Sequence, residues 1–381
     1  MTVYFTEDHR HFQESIRKFA TEEVAPVADE LDRRMEFPSE MVERMSELGL
    51  MGIPYPKEFG GLGKDTIGYA LAVEELTKVC SSTAITMAAH TSLGTFPIFK
   101  YGTEVQKKKY VPEMANGKLI GAFGLTEPEA GSDAGAMQTT AIADGDEWVI
   151  NGSKIFITNG GYADVMIVAA VTDPDARGGA GISTIIVETD TNGFRVGDPL
   201  RKMGWRASDT REVFFEDVRV PKDNLLGVEN RGLPLFLDTL DGGRIIVAAM
   251  GVGVAEAAFD NAKKYVNNNN RDGQKLKRFQ GVSFPLADMK TRIEAARHLT
   301  YNAAHLKDTN QPFKVEAAMA KLYASELSTQ AATEALDILG LDGNTREYPV
   351  ERLFRDAKIL EIGEGTSEIQ RLVIAREVLR D

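Results

Sequence analysis

One carboxylate in this 381-residue chain stands where a general base would be useful. Glu364 lies between Gly363 and Gly365, after a segment whose helical pattern should end near Ile362. A second helix should begin at Thr366 or at the serine after it, so the glutamate falls on the break between two helices. Flanking glycines let the backbone approach a ligand closely and leave the carboxylate unobstructed. The sequence therefore predicts that Glu364 can remove a proton from a bound substrate.

Two other segments carry groups that suit a flat heterocyclic ring. Residues 123–133, FGLTEPEAGSD, combine small residues and a glycine turn with the hydroxyls of Thr126 and Ser132. Residues 156–161, FITNGG, add the aromatic ring of Phe156 and the hydroxyl of Thr158. Backbone N–H groups and hydroxyls can bind the polar edge of a ring, and an aromatic side chain can cover its face. The first segment alone would fit a capped turn better, so the prediction depends on both.

Helices and strands must position these residues, and the pattern of apolar residues along the chain changes from helical to strand-like and back to helical. Helical spacing of apolar residues marks the stretches 6–30, 38–49, 66–79 and 103–116, with Thr6 as a suitable N-cap. Strand-like runs follow, and Asn151-Gly152 predicts a hairpin turn within 148–157. Further strands are expected at 165–171, 182–187, 194–196 and 213–220, and helices at 231–267, 280–307, 313–339 and 367–380.

This order predicts an α+β multidomain protein. Residues 1–118 should form an N-terminal all-helical domain, and residues 119–228 a middle antiparallel β-sandwich or barrel. Residues 229–381 should form a C-terminal helix bundle. Gly251-Val252-Gly253 resembles the start of a dinucleotide-binding fingerprint, but no strand precedes it and the third glycine is absent. Its small residues fit close helix packing instead.

Composition excludes several classes of partner and site. The net charge of −13 argues against nucleic acid and anionic membrane as partners, and no apolar run reaches the length of a spanning helix. Cys80 is the only cysteine and the five histidines include no HExxH, so we expect neither an intrachain disulfide nor a metal site. The N-terminus has no signal-peptide pattern, which predicts a cytoplasmic protein.

Four motifs together resemble the acyl-CoA dehydrogenase family, specifically its short-chain, butyryl-CoA branch. They are LTEPEAGSD at 125–133, FITNGG at 156–161, LDGGR at 240–244 and EGTSEIQR at 364–371, in order along essentially the whole chain. The resemblance implies FAD as cofactor and a C-terminal four-helix bundle that forms the core of a homotetramer. It also implies an acyl-CoA substrate and an electron-transferring flavoprotein that reoxidises the flavin.

The resemblance assigns roles to individual residues. Glu364 would take the α-proton of the thioester while the β-hydride passes to flavin N5, giving the trans-2-enoyl-CoA. Gly243 stands where other branches of the family place their base, so the assignment of Glu364 is not ambiguous. The residues expected at the flavin are Phe123, Leu125, Thr126, Ser132, Phe156, Ile157, Thr158 and Thr366, and those expected at the substrate are Ser132, Arg244, Gly365 and His90. His90 would bound the acyl end, although a core or interface histidine is the simpler interpretation.

The chain departs from the family pattern at two places. Asn269 and Asp272 replace an arginine and a phenylalanine that relatives supply to the adenine half of FAD, and Asp337 and Leu341 replace a glutamine and a glycine. Carboxylates repel a diphosphate, so weaker FAD binding or FMN stays open. Gly363 replaces the aromatic residue before the base, which should open the acyl pocket to branched or cyclic groups.

Some alternatives stay open from the sequence. Ala84 stands where a glutaryl-specific relative has an arginine for the distal carboxylate, which argues against a glutaryl group. The same chemistry could run in reverse as an enoyl-CoA reductase, or the flavin could react directly with oxygen. The lost adenine contacts also allow a non-catalytic or partner-completed subunit of a hetero-oligomer. The exact acyl group and the redox partner cannot be read from the sequence.

Overall fold

The computed structural model describes residues 4–176, 178–271 and 273–380, and it has helices at both ends and a sheet in the middle. This arrangement confirms the predicted α+β fold class with its helical, β and helical parts. Three clusters of buried apolar residues form the core, one among the helices, one between helices and sheet, and one within the sheet.

The N-terminal helices follow the predicted pattern, with additional helical segments between residues 81 and 101. They are α1 (Glu7–Phe19), α2 (Ala25–Arg34), α3 (Ser39–Glu47), α4 (Thr66–Thr77), α5 (Ser81–Ala88), α6 (Phe96–Tyr101) and α7 (Glu104–Ala115). Thr6 caps α1 as predicted, since its hydroxyl accepts a hydrogen bond from the His9 N–H at 3.2 Å. Helix α5 and the π-helical segment Ala89–Thr95 show no polar face because nearly all of their residues are buried, so periodicity did not reveal them.

The middle sheet is mixed rather than purely antiparallel. Its strands are β1 (Gly121–Gly124), β2 (Thr140–Asp144), β3 (Glu147–Thr158), β4 (Val165–Val171), β5 (Ile182–Glu188), β6 (Phe194–Val196), β7 (Thr210–Pro221) and β8 (Leu225–Leu226). The order is β6-β7-β3-β2-β4-β5-β8, with β1 beside β4. Most neighbours are antiparallel, but β1 and the end of β2 pair with β4 in parallel. Strand β1 follows α7 along the chain and pairs with β4 over Gly121–Gly124.

The predicted hairpin turn at Asn151-Gly152 is wrong. Both residues lie inside β3, and the turn between β2 and β3 lies earlier in the chain, at Gly145, whose φ is +58°. Gly152 instead marks a β-bulge against β7, with φ +143°. A side chain at Gly152 would collide with Thr139, at 2.6 Å from its hydroxyl, so this glycine permits a close crossing rather than a turn.

The C-terminal part is built around one long central helix. Its helices are α8 (Gly232–Asn268), α9 (Gln280–Asp308), α10 (Lys314–Leu339), α11 (Val350–Leu360) and α12 (Ser367–Val378), and β9 (Asn270–Arg271) pairs with β10 (Gln274–Lys275) after α8. By length and composition α8 could cross a membrane, but most of it is buried inside the protein, as in a core helix. An ideal Cβ on Gly251 would lie 2.7 Å from the Ala324 carbonyl oxygen, so the glycines of α8 do serve close packing.

Candidate active site

Glu364 lies on a tight turn between α11 and α12. Helix α11 ends at Leu360, and the Thr366 hydroxyl caps α12 by accepting a hydrogen bond from the Ile369 N–H at 3.3 Å. Glu364 has φ +53°, a left-handed conformation that costs a non-glycine residue free energy, and Gly365 follows with φ +93°. The predicted helix break is therefore correct, and the strained backbone turns the glutamate side chain back towards α8.

The Glu364 carboxylate meets the central helix at a glycine. A Cβ built on Gly243 would collide with Glu364 Oε2, and its next neighbour would be Leu93 Cδ2 at 3.5 Å. Oε2 is buried and has no hydrogen-bond partner among the described residues. Burial raises the pKa of Glu364 to about 7, although the positive charges of Lys321 and Arg244 pull it down. A carboxyl with this pKa is suited to exchange protons near neutral pH.

Lys321 supports the turn, and the sequence analysis missed it. This lysine of α10 has no exposed surface, and its ammonium donates to the Gly365 carbonyl oxygen at 2.6 Å. The Gln370 amide donates to the same oxygen at 2.8 Å. Burial lowers the Lys321 pKa to about 8. A lysine on the alanine-rich buried face of a helix, next to Ala317 and Ala324, is the signal that could have found it.

Arg244 lies one residue after Gly243 and faces the same carboxylate. Its side chain is buried and bonds to Asp241 one turn earlier, while its Nε has no partner among the described residues. Burial lowers the Arg244 pKa, and the charges of Asp241 and Glu364 oppose that shift. The predicted substrate residue is thus a buried cation with a free donor beside the candidate base, and its contact with substrate stays a prediction.

The two segments predicted to hold a heterocycle lie side by side. The Ile155 N–H donates to the Thr126 carbonyl oxygen at 2.9 Å, so the 125–127 loop runs along β3. Lys154 is fully buried, and its ammonium donates to the Leu125 carbonyl at 3.2 Å and to Glu127 at 2.7 Å.

The Glu127 carboxylate completes this arrangement. It accepts hydrogen bonds from the N–H groups of Gln138 at 2.6 Å and Thr139 at 2.9 Å, which close the loop on itself. Burial lowers the Lys154 pKa to about 8, while Glu127 raises it. The buried Lys154–Glu127 pair was not identified from the sequence, because its members stand 27 positions apart in different segments.

The second segment presents its groups differently from one residue to the next. Phe156 has φ +60° and is 63% exposed, although large aromatic rings are usually buried. Ile157 is 2% exposed and packs into the sheet, so it can meet a ring only through its backbone. The hydroxyls of Thr126 and Thr158 donate to no acceptor among the described residues. An uncovered aromatic face beside two free hydroxyls fits the face and edge of a flavin.

Three more residues predicted at the flavin lie on β1 or on this loop, whereas Thr366 lies at the start of α12. The Phe123 ring on β1 lies 4.5 Å from the Phe236 ring of α8, so it ties the loop to the helix that carries Gly243. Leu125 is buried in the core between helices and sheet, and Ser132 is exposed at the tip of the loop. The backbone of Gly94 packs on Gly121 at the start of β1, which places the sheet edge next to Leu93 and the turn of Glu364.

The surroundings of His90 fit the simpler of its two interpretations, a core histidine. Its side chain is fully buried, with Nε2 bonded to the Met114 carbonyl oxygen at 3.0 Å and Nδ1 accepting from the Gly121 N–H at 2.9 Å. Burial lowers its pKa to about 4. Because both ring nitrogens bond to the backbone, His90 joins the π-helical segment to α7 and β1, and its role at the acyl end stays a prediction.

The residues expected near adenine lie away from the turn. Asn269 ends α8, and its amide donates to the Tyr265 carbonyl at 2.9 Å. Asp337 is exposed, and Leu341 is 85% exposed beyond the end of α10. Asp272 lies outside the described residues. Within 4–176, 178–271 and 273–380, no group of three or more His, Cys, Asp or Glu side chains could hold a metal ion.

A cavity of about 320 Å³ lies beside Gly243. Its walls come from α4, α6, α8, the segment Ala89–Thr95 and the end of α9, and no described residue of 119–228 lines it. Glu364 does not line the cavity, but Gly243 both lines it and contacts the Glu364 carboxylate, so the cavity lies in the helical part next to the candidate base.

Comparison with known proteins gives one consistent result. Models of the acyl-CoA dehydrogenase N-terminal, middle and C-terminal domains match residues 6–118, 122–218 and 230–379. The chain is 52% identical to a probable acyl-CoA dehydrogenase, YngJ, of Bacillus subtilis over 100% of both chains. It superimposes on butyryl-CoA dehydrogenase from Megasphaera elsdenii with a TM-score of 0.97, 44% identity and 100% of both chains covered. It also superimposes on a chain solved in work on the electron transferring flavoprotein of Acidaminococcus fermentans, with a TM-score of 0.98, 47% identity and 100% of both chains covered.

Proposed function

Because this chain belongs to the acyl-CoA dehydrogenase family, we propose that it dehydrogenates short acyl-CoA thioesters to trans-2-enoyl-CoA with Glu364 as the base. The carrying observation is the Glu364 carboxylate, which is buried against Gly243 with a pKa of about 7 and has no protein hydrogen bond on Oε2 among the described residues. A base that must accept a carbon-bound proton needs this combination of a raised pKa and a free oxygen. The same observation argues against a non-catalytic subunit.

The residues of the turn supply the proton transfer. Glu364 Oε2 accepts the α-proton, which the neighbouring thioester carbonyl makes more acidic when that carbonyl accepts a hydrogen bond. The Glu364 backbone N–H donates to no acceptor in the described chain and is free to polarise the carbonyl. Lys321 holds the Gly365 carbonyl and so keeps the turn in this conformation. Arg244 offers its unpaired Nε beside the carboxylate.

A bound flavin supplies the acceptor for the β-hydride. The exposed Phe156 ring and the hydroxyls of Thr126 and Thr158 are the groups that would hold it, with the loop fixed by Glu127 and Lys154. We propose FAD because the relatives are acyl-CoA dehydrogenases over their full length. FMN or weak FAD binding is the alternative outcome, since Asn269, Asp337 and Leu341 offer no cation to a diphosphate.

The acyl group is proposed to be short, branched or cyclic. An ideal Cβ on Gly363 would meet only the Ile359 carbonyl oxygen, at 3.5 Å, so space is open where an aromatic side chain could stand. The likeness to butyryl-CoA dehydrogenase supports the short chain. Initial rates with butyryl-, isobutyryl- and cyclohexanoyl-CoA would rank these groups.

Assembly and location remain proposals. Exposed apolar residues on the C-terminal helices and at their ends support a homotetramer. They are Phe284 (59% exposed), Leu341 (85%), Val378 (70%) and Leu379 (78%). Light scattering after size-exclusion chromatography would test this assembly. We propose an electron-transferring flavoprotein as redox partner, supported by the similar chain of Acidaminococcus fermentans, and a cytoplasmic location that cell fractionation would check.

The first experiment is a visible spectrum of the purified protein, followed by chromatography of the released cofactor. Stoichiometric FAD would support the proposal, and FMN or a colourless protein would contradict the cofactor assignment. Anaerobic addition of butyryl-CoA should then bleach the flavin and yield crotonyl-CoA. A flavin-loaded protein that no short acyl-CoA bleaches would refute the proposed activity.

A further inference from the structure

The cavity beside Gly243 ends at an ammonium group. Lys307, near the end of α9, lines this cavity together with Gly242, Phe96 and Tyr69. A Cβ built on Gly242 would lie 2.9 Å from Lys307 Nζ, so the ammonium rests directly on the glycine surface of α8. It also lies 5.2 Å from the centroid of the Phe96 ring. Glycine at 242 is what gives the ammonium access to this wall.

Lys307 differs from the other charged groups around the cavity because its ammonium has no hydrogen bond or ion pair among the described residues. The other three have partners. Lys64 pairs with Asp8 at 2.8 Å and Asp65 with His9 at 2.9 Å.

The fourth charged residue, Asp308, is used by the backbone. Its carboxylate accepts hydrogen bonds from the N–H groups of Thr66 at 2.8 Å and Ile67 at 3.2 Å, at the start of α4. Burial lowers the Lys307 pKa, while the charges of Asp308 and Asp238 oppose that shift. A partly desolvated cation that lacks a counterion gains from an anionic ligand.

We propose that the cavity lined by Gly242 and Gly243 holds the acyl group, and that it accepts an acyl-CoA whose distal end carries a carboxylate, bound by the Lys307 ammonium. This inference rests on the proposed function, because it requires the α-carbon of the acyl group to lie at Glu364. The geometry links the two ends. Gly242 touches the ammonium, Gly243 touches the Glu364 carboxylate, and adjacent Cα atoms are 3.8 Å apart, so Nζ and Oε2 lie within roughly 12 Å of each other.

The position of the cation explains why the sequence argued against such a substrate. The arginine that the family resemblance suggested for a distal carboxylate is replaced by Ala84, which is fully buried on α5. Lys307 comes instead from α9 and reaches the cavity across Gly242. The charge is thus supplied from a different helix, at a place that motif comparison does not test.

The test compares two thioesters of equal chain length, adipyl-CoA and hexanoyl-CoA, on the flavin-loaded protein. Turnover is followed with a ferrocenium acceptor, and affinity is measured separately by titration of the Glu364→Gln variant. The wild-type chain should prefer adipyl-CoA, and Lys307→Met should lower the ratio of kcat/KM for adipyl- to hexanoyl-CoA by about ten-fold or more. The affinity ratio should fall in parallel.

Two further variants make the test specific. Gly242→Ala places a methyl group against Lys307 Nζ in a position where alanine favours the helix, and it should also lower the adipyl preference. Lys100→Met is the matched control, because Lys100 lies near the same Phe96 ring but pairs with Asp238 at 2.6 Å and does not line the cavity. It should leave the ratio unchanged.

The outcomes separate the two ideas. Hexanoyl-CoA turnover with an adipyl-to-hexanoyl ratio that Lys307→Met does not change would overturn the inference and leave the proposed function standing. If neither thioester is oxidised, turnover of butyryl-CoA decides the proposed function, and the binding titration decides separately whether Lys307 selects a carboxylate. Equal affinities for both thioesters in that titration would overturn the inference as well.

Discussion

Replacement of Glu364 by glutamine should lower the activity and, at the same time, raise the stability of the fold above neutral pH. The substitution keeps the size of the side chain and removes the only atom that can accept the α-proton. Loss of a positioned general base lowers rates by about 10²- to 10⁴-fold, so kcat/KM for butyryl-CoA should fall by that factor. Flavin content should not change, because the groups that suit the flavin are in the 123–133 and 156–161 segments.

The stability change follows from the raised pKa of the same group. The Glu364 pKa moves from 4.5 to about 7 on folding, because burial disfavours the charged form. At ~1.4 kcal/mol per pH unit, the ionised carboxylate opposes folding by about 3 kcal/mol at high pH. This penalty is absent below pH 4.5, grows as the pH rises towards 7 and is complete above 7. The Glu364→Gln variant removes this penalty. Its free energy of unfolding should therefore be higher than that of the wild type at pH 8, but not near pH 4.5.

The assay is denaturant unfolding of the flavin-loaded protein at pH 5 and pH 8, beside steady-state rates with butyryl-CoA. The difference in unfolding free energy between variant and wild type should grow by about 2–3 kcal/mol between the two pH values. Glu368→Gln is the control, because Glu368 is an exposed acid on α12. Retained activity, or a stability difference that does not change with pH, would refute the assignment of Glu364 as a buried base.

Five further outcomes are expected. The value of kcat/KM for butyryl-CoA should rise with pH through about 7, because Glu364 must lose its proton to act. A kcat/KM that does not change between pH 6 and 8 would contradict this. Lys321→Met should move that profile about one pH unit higher, since the lysine charge lowers the Glu364 pKa. Gly243→Ala should lower kcat by about 10²-fold, because the new methyl group displaces the carboxylate. Thr158→Val should weaken flavin binding about five-fold by removal of a hydroxyl donor, and flavin release on dilution would measure it. Thr366→Ala should cost about 1 kcal/mol of unfolding free energy as the cap of α12 is lost.

Local sequence determined more of the fold than of the site's surroundings. Apolar periodicity and capping residues placed most helices within a few residues. Thr6 caps α1 as expected, and α12 begins at Ser367, one of the two starting residues that the sequence predicted. The Asn151-Gly152 turn was wrong because the same dipeptide also fits a bulge, and only the crossing with Thr139 decides between them. Burial on all sides hid α5 from periodicity.

The sequence by itself determined that a glutamate between glycines ends one helix and precedes another, since caps, glycines and helix spacing act over a few neighbouring residues. Only the tertiary structure decided what that carboxylate meets. Gly243, Lys321 and Arg244 reach it from α8 and α10, and their burial and charge set its pKa. The position of Lys307 was decided in the same way, because the partners of a side chain from a distant helix depend on packing, and neither spacing nor composition encodes that locally.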